Sequence, residues 1–177
     1  MAAPDVTKVQ GATGRLVWNP SNLSSAFPHG GTALGLASEV RLTPIQRSFV
    51  ATAEEYGGAT VEEYDMGRDW VLSCLVRGFD ADMLAVVFPS VSTGVVTEAL
   101  AQSKGAALSA RSGVLVLSPR DPTHYGFVLR RALPRVRESA RIPFSLHERA
   151  SFAAIFRAIP SSGGAVLTVG PFSGLTV

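Results

Sequence analysis

The stretch ASFAAIFRAIPS, residues 150–161, admits two readings, and the choice between them decides the fold. As a helix it gathers Phe152, Ile155, Phe156 and Ile159 on one side, the i, i+3, i+4, i+7 set. As a strand it sends Phe152, Ala154, Phe156 and Ala158 to one face and Ala153, Ile155, Arg157 and Ile159 to the other. A short apolar run fits both templates, so periodicity alone does not arbitrate. The flanks do more. SLHER before it contains no convincing break, and Ile-Pro-Ser-Ser-Gly-Gly after it is a turn leading into AVLTVGP. Taken alone the run still favours the helix slightly; only together with the order of segments along the whole chain is it read as a strand, with apolar residues on both faces. One face then packs the interior, and the other is covered by a helix or a neighbouring subunit.

The rest of the chain agrees with a mainly β protein. DWVLSCLVRGF alternates cleanly, with Trp70, Leu72, Cys74 and Val76 on one face. EVRLTPIQ reads as a strand that Pro44 ends, and SFVATAEEYGGATVEEYDMG as a hairpin turning at Gly57-Gly58 with an acidic tip. GVLVLSP, YGFVLRRALPRV, ARIPFSLHER and AVLTVGPF supply further strands. GFDADMLAVVFP differs: Asp80 can cap, Asp82 suits the first turn, and Met83, Leu84, Val87 and Phe88 form a stripe that Pro89 ends. That predicts a short helix over 80–88. Residues 90–112 read as a loop with a brief regular piece, and 1–38, rich in Gly, Ser, Ala and Pro, as an extended N-terminal arm docking a few apolar side chains. The expected architecture is one domain over 1–177, a two-sheet β-sandwich or barrel with a flanking helix.

Composition narrows the function classes. The chain has 177 residues, 46% of them hydrophobic and only 17% charged, less charge than a solitary soluble protein usually carries. A large core accounts for this, and so does surface buried against further copies. Net charge is +2, with acids concentrated over 54–82 and arginines over 111–157. Those arginines are spread through apolar strands without interleaved aromatics, which argues against a nucleic-acid reader. Cys74 is alone and flanked by apolar residues, a small buried hydrophobe. The first ten residues contain no apolar signal core, and no run approaches the roughly 18 residues of a membrane-spanning helix. Synthesis in a reducing cytoplasm is expected.

Catalytic signatures are missing from the sequence. His29, His124 and His147 are isolated, Phe172-Ser173-Gly174 is not a nucleophile elbow, and His29-Gly30-Gly31 matches no phosphate or dinucleotide loop. No Cys/His set has metal-site spacing. The pairs Glu54-Glu55 and Glu62-Glu63 can in principle act as acid and base, but neighbouring carboxylates on a polar hairpin more often form a solvated or interface face. No catalytic, cofactor-binding or metal-binding residue is expected, which leaves a structural or binding protein.

The order of segments then acquires meaning. HGGTALGLASEVRLTP, the acidic hairpin, DWVLSCLVRGFD with DADMLAVVFP, LVLSPRDP, VLRRALPRV and FRAIPSSGGAVLTVGP together resemble the major tail tube proteins of long-tailed bacteriophages. The resemblance implies hexameric rings stacked into a hollow tube for DNA passage, in a virion tail assembled in the bacterial cytoplasm alongside other tail proteins. On that footing some of Glu54, Glu55, Glu62 and Glu63 line the lumen or the ring-to-ring contact. Arg130, Arg131, Arg135 and Arg137 would face contacts between subunits. Duplex DNA carries about one charge per 1.7 Å, so a conduit should keep cations off its wall. Two other readings stay open at this point: another ring-forming tail component, such as a completion or baseplate protein, and a monomeric β-sandwich that binds a ligand.

Overall fold

The computed structural model describes residues 14–77, 81–88, 91–92, 95–96, 108–136 and 151–177. Its main strands are β1 (Gly14–Trp18), β2 (Thr32–Ala53), β3 (Ala59–Arg77), β6 (Gly113–Ser118), β7 (Tyr125–Val136), β8 (Ser151–Ala158) and β9 (Leu167–Pro171). A separate small ladder joins β4 (Val91–Ser92) to β5 (Val95–Val96). The single helix among the described residues, α1, spans Ala81–Val87.

The seven main strands form one sheet in the order β6-β1-β2-β3-β8-β7-β9, and β6 also pairs with β7. That last pairing closes the sheet into a ring. The long strand β7 makes closure possible because its two halves have different neighbours. On one side it meets β9 through Tyr125–Leu129 and β8 through Ala132–Val136, and on the other it meets β6. Every pairing is antiparallel. The expected two-sheet sandwich is thus replaced by its barrel alternative: one sheet curled on itself, which removes most of its edges.

ASFAAIFRAIPS is a strand. β8 pairs with β3 along its whole length, from Trp70↔Ala158 to Arg77↔Ser151, and with β7 along its second half. Its alternation is visible in burial: Ala154, Phe156 and Ala158 are buried, while Ile155 and Arg157 are half-buried. Leu72, Cys74 and Val76 of β3, Leu115 and Leu117 of β6, and Phe127 and Leu129 of β7 meet Phe156 in one interior cluster. Desolvation raises the Cys74 thiol to about 12, so this cysteine is an inert core residue.

α1 adds Met83, Val87 and the following Phe88 to the same cluster, the i and i+4 positions of one helical face. Arg111 donates from Nη2 to the Val87 carbonyl at 3.0 Å, satisfying one of the acceptors that a helix leaves open at its C-terminus. The helix matches the 80–88 expectation within a residue at each end.

Two expectations are corrected. The N-terminal part is no surface arm from residue 14 onward: β1 is an inner strand between β2 and β6, and Leu16 and Val17 are fully buried. Its polar, glycine-rich context hides how short the strand is, and the few apolar residues that exist all point into packed space. Asn19 secures the end of this strand, taking φ 48° while its Oδ1 accepts from Val114 N–H at 2.8 Å. The second correction concerns Pro44, which does not end its strand. β1 pairs with β2 only as far as Ala37, so Pro44, opposite Trp70, lies where β2 has one neighbour, the position in a sheet that accepts a residue without an N–H. The predicted strand ARIPFSLHER lies outside the described residues.

Candidate functional site: a projecting hairpin

β2 and β3 outrun the barrel. Beyond Pro44 and Trp70, where β3 leaves β8, they continue as a two-stranded ribbon to a tip made of the 3₁₀ turn Glu54–Tyr56 followed by Gly57 and Gly58, at φ 68° and 81°. At about 3.3 Å per residue the ribbon reaches roughly 30 Å from the barrel. Both of its faces carry exposed residues. The exposed side chains include Ile45, Phe49 (58%), Val50, Val61 (60%), Tyr64 and Met66 (65%). A lone two-stranded ribbon is marginally stable in water, and large exposed apolar groups mark interaction surfaces.

Local chemistry shapes the ribbon. Register shifts at Gln46/Ser48 and Ala51/Thr52 place bulges in β3. Gly67 occupies the first at φ 96°, with its N–H donating to Asp65 Oδ1 at 2.8 Å. Phe49 faces Tyr64, ring centroids 6.4 Å apart, and the Tyr64 hydroxyl donates to Glu62 at 2.7 Å, which raises the Tyr64 pKa.

At the root of the ribbon Asp69 accepts from Arg157 of β8 and Arg47 of β2. The hydrogen bond from Arg157 is the main reason the carboxyl titrates below its ordinary value; Arg47 adds to it and partial desolvation opposes both. A carboxylate with a lowered folded pKa stabilises the fold above the ordinary value of 3.8 and loses that contribution as pH falls through the folded value. Asp69→Asn is therefore expected to melt below wild type at pH 7, with the gap narrowing at about pH 3, below the ordinary carboxyl value of 3.8. A gap of unchanged size at both pH values would show that the ion pair is not its source.

The acids singled out from sequence all lie on this ribbon and are exposed, but they do not converge. Glu54 and Glu55 are at the tip. Glu62, opposite Ala51, and Glu63, opposite Val50, point to opposite faces as strand neighbours must. No three His, Cys, Asp or Glu among the described residues gather as a metal site. The arginines are also dispersed. Arg131 is half-buried and held in its own chain, donating from Nε to Ser112 Oγ at 2.8 Å; Arg130 is half-buried; Arg135 is exposed beside Ile155 on the outer face. Arg137 lies outside the described residues. What the sequence reading missed is the apolar character of the ribbon: the alternation in SFVATAEEY and ATVEEYDM was visible, but nothing local distinguishes a strand pair on a core from one projecting beyond it.

No known family model matches the chain, and no curated protein matches it. Among solved structures it is similar to the anti-feeding prophage cap, the cap that terminates the AFP tube, determined by cryo-electron microscopy. The identity is 10% and the TM-score 0.43, over 97% of this chain and 95% of that one.

Proposed function

We propose that this protein is a structural component of a phage-type tail that assembles with copies of itself into stacked rings around a DNA conduit. One observation carries the proposal: the ribbon from Ile45 to Arg68, roughly 30 Å of paired strands on which Phe49, Val61 and Met66 are exposed and belong to neither core cluster of the described residues. A second copy supplies such a partner. The outer edge of β9, which among the described residues pairs only with β7 and exposes Val169, offers a further place for strand pairing. Head-to-tail contacts that use these features form a ring when the rotation from one copy to the next closes on itself, as this reading requires. The order of sequence segments supports a tail tube over other self-assembling β proteins.

In this reading apolar burial supplies most of the association, at about 25 cal/mol per Å², because exposed ion pairs add only about 0–1 kcal/mol each. Some of Glu54, Glu55, Glu62 and Glu63 then face the lumen or the next ring, and Arg135 a subunit contact. The protein has no catalytic role. Negative-stain microscopy of the purified chain should show rings or tubes across a range of salt. A chain that sediments as a monomer at every salt and protein concentration is incompatible with the proposal.

A further inference from the structure

A concave feature lies away from the ribbon, between the loop 19–31, the segment after β6 and the C-terminal turn. It is a pocket of about 400 Å³, within the size range of small-molecule sites. One wall is apolar, made by Leu23, Phe172 and Leu175, which are buried against Val116 and Val128 on the outside of the barrel. The floor is polar and fixed. His29 is 6% exposed; its Nδ1 lies 2.8 Å from the Ser25 carbonyl, which can only accept, so Nδ1 carries the proton. In the neutral ring Nε2 then accepts from the Ser118 hydroxyl at 3.0 Å. These bonds tie the loop to β6 and explain why His29 and Ser118 are buried.

They do not explain the mouth. Arg15 and Arg120 both line it, and neither has an ion pair among the described residues. The Arg15 guanidinium is set 3.8 Å over the Phe27 ring, a cation–π contact that restricts it before any ligand arrives. Asp121, the acid nearest in sequence, is occupied by its own turn, accepting from Thr123 N–H at 2.9 Å and Thr123 Oγ1 at 2.7 Å. Among the described residues no carboxylate lines the pocket. Two cations without a counter-ion beside an apolar wall complement one kind of ligand.

We propose that this pocket binds a small organic anion, with a carboxylate or phosphate held by Arg15 and Arg120 and an apolar body against Leu23, Phe172 and Leu175. The site does not depend on assembly. The full chain would be titrated with phenyl phosphate, phenylacetate and the uncharged benzyl alcohol, followed by two-dimensional NMR. At least one anion should saturate, with shifts confined to residues around Arg15, His29 and Phe172, and the stronger of the two identifies the head group. Benzyl alcohol should bind at least about tenfold more weakly, as expected when charge-assisted hydrogen bonds are lost. The double variant Arg15→Gln, Arg120→Gln should lower anion affinity by a similar factor and leave benzyl alcohol unchanged, while Arg15→Lys should retain part of the anion binding. The proposal is overturned by the absence of saturable shifts for both anions, by equal binding of benzyl alcohol to wild type, or by a double variant that binds anions as wild type does.

Discussion

Replacing Phe49, Val61 and Met66 together by serine should abolish self-association while leaving the barrel folded. These are among the most exposed large apolar residues of the ribbon, and none belongs to either buried cluster. In the isolated chain the substitutions exchange solvent-exposed groups, a class that usually shifts stability by no more than about 0.5 kcal/mol per site. The Phe49–Tyr64 contact is lost, but it stabilises only the ribbon itself. In an assembly the same three side chains would leave water, and burying each contributes about 1.5–3 kcal/mol. Their loss would weaken each contact by about 5–9 kcal/mol, a drop of more than a thousandfold in association. Sedimentation and melting curves measured together separate the outcomes. A folded monomer supports the ribbon as the assembly element; rings formed at wild-type concentration would show that it lies elsewhere.

Much of the fold is legible in the sequence where a single residue pattern has a single physical cause. The alternation Trp70, Leu72, Cys74, Val76 predicts a strand half-facing a core, and Leu72, Cys74 and Val76 are buried as expected. Gly57-Gly58 predicts the hairpin, because both residues take the positive φ that side chains disfavour. Met83 and Val87 predict the helix face. What is not legible depends on partners distant in the chain. Whether Leu16 and Val17 dock loosely or complete a sheet is decided by Gly35 and Ala33 on one side and by Leu117 and Val116 on the other. Whether Pro44 stops a strand is decided by the absence of β1 beside it. The candidate sites divide the same way. The acids at 54, 55, 62 and 63 are correctly placed on a hairpin, but only register reveals that Glu62 and Glu63 face apart. The pocket brings His29 to Ser118 across 89 positions of sequence, so its chemistry has no local signature.

The two readings of ASFAAIFRAIPS also predict different energetics, and this gives the second large effect. On a helix, Ile155 and Phe156 would share one apolar face and truncating either would cost a comparable amount. On β8 they are separated by the sheet. Phe156 is the largest of the fully buried side chains, at 0% exposure, with Leu72 opposite it on β3, Pro134 opposite it on β7, and its ring 6.1 Å from that of Trp18. The small neighbours Ala154 and Ala158 on the same face cannot expand to fill the space it leaves. Phe156→Ala should therefore cost about 3–5 kcal/mol, a large part of the roughly 5–15 kcal/mol that a domain possesses. The melting temperature should fall by roughly 10 °C or more. Ile155, half-buried on the outer face, should cost only about 1 kcal/mol in the isolated chain. If a neighbouring copy covers that face, the cost of Ile155→Ala should grow under assembling conditions, whereas that of Phe156→Ala should be large in both. Equal and large losses for both variants in the monomer would contradict the strand and the barrel built around it.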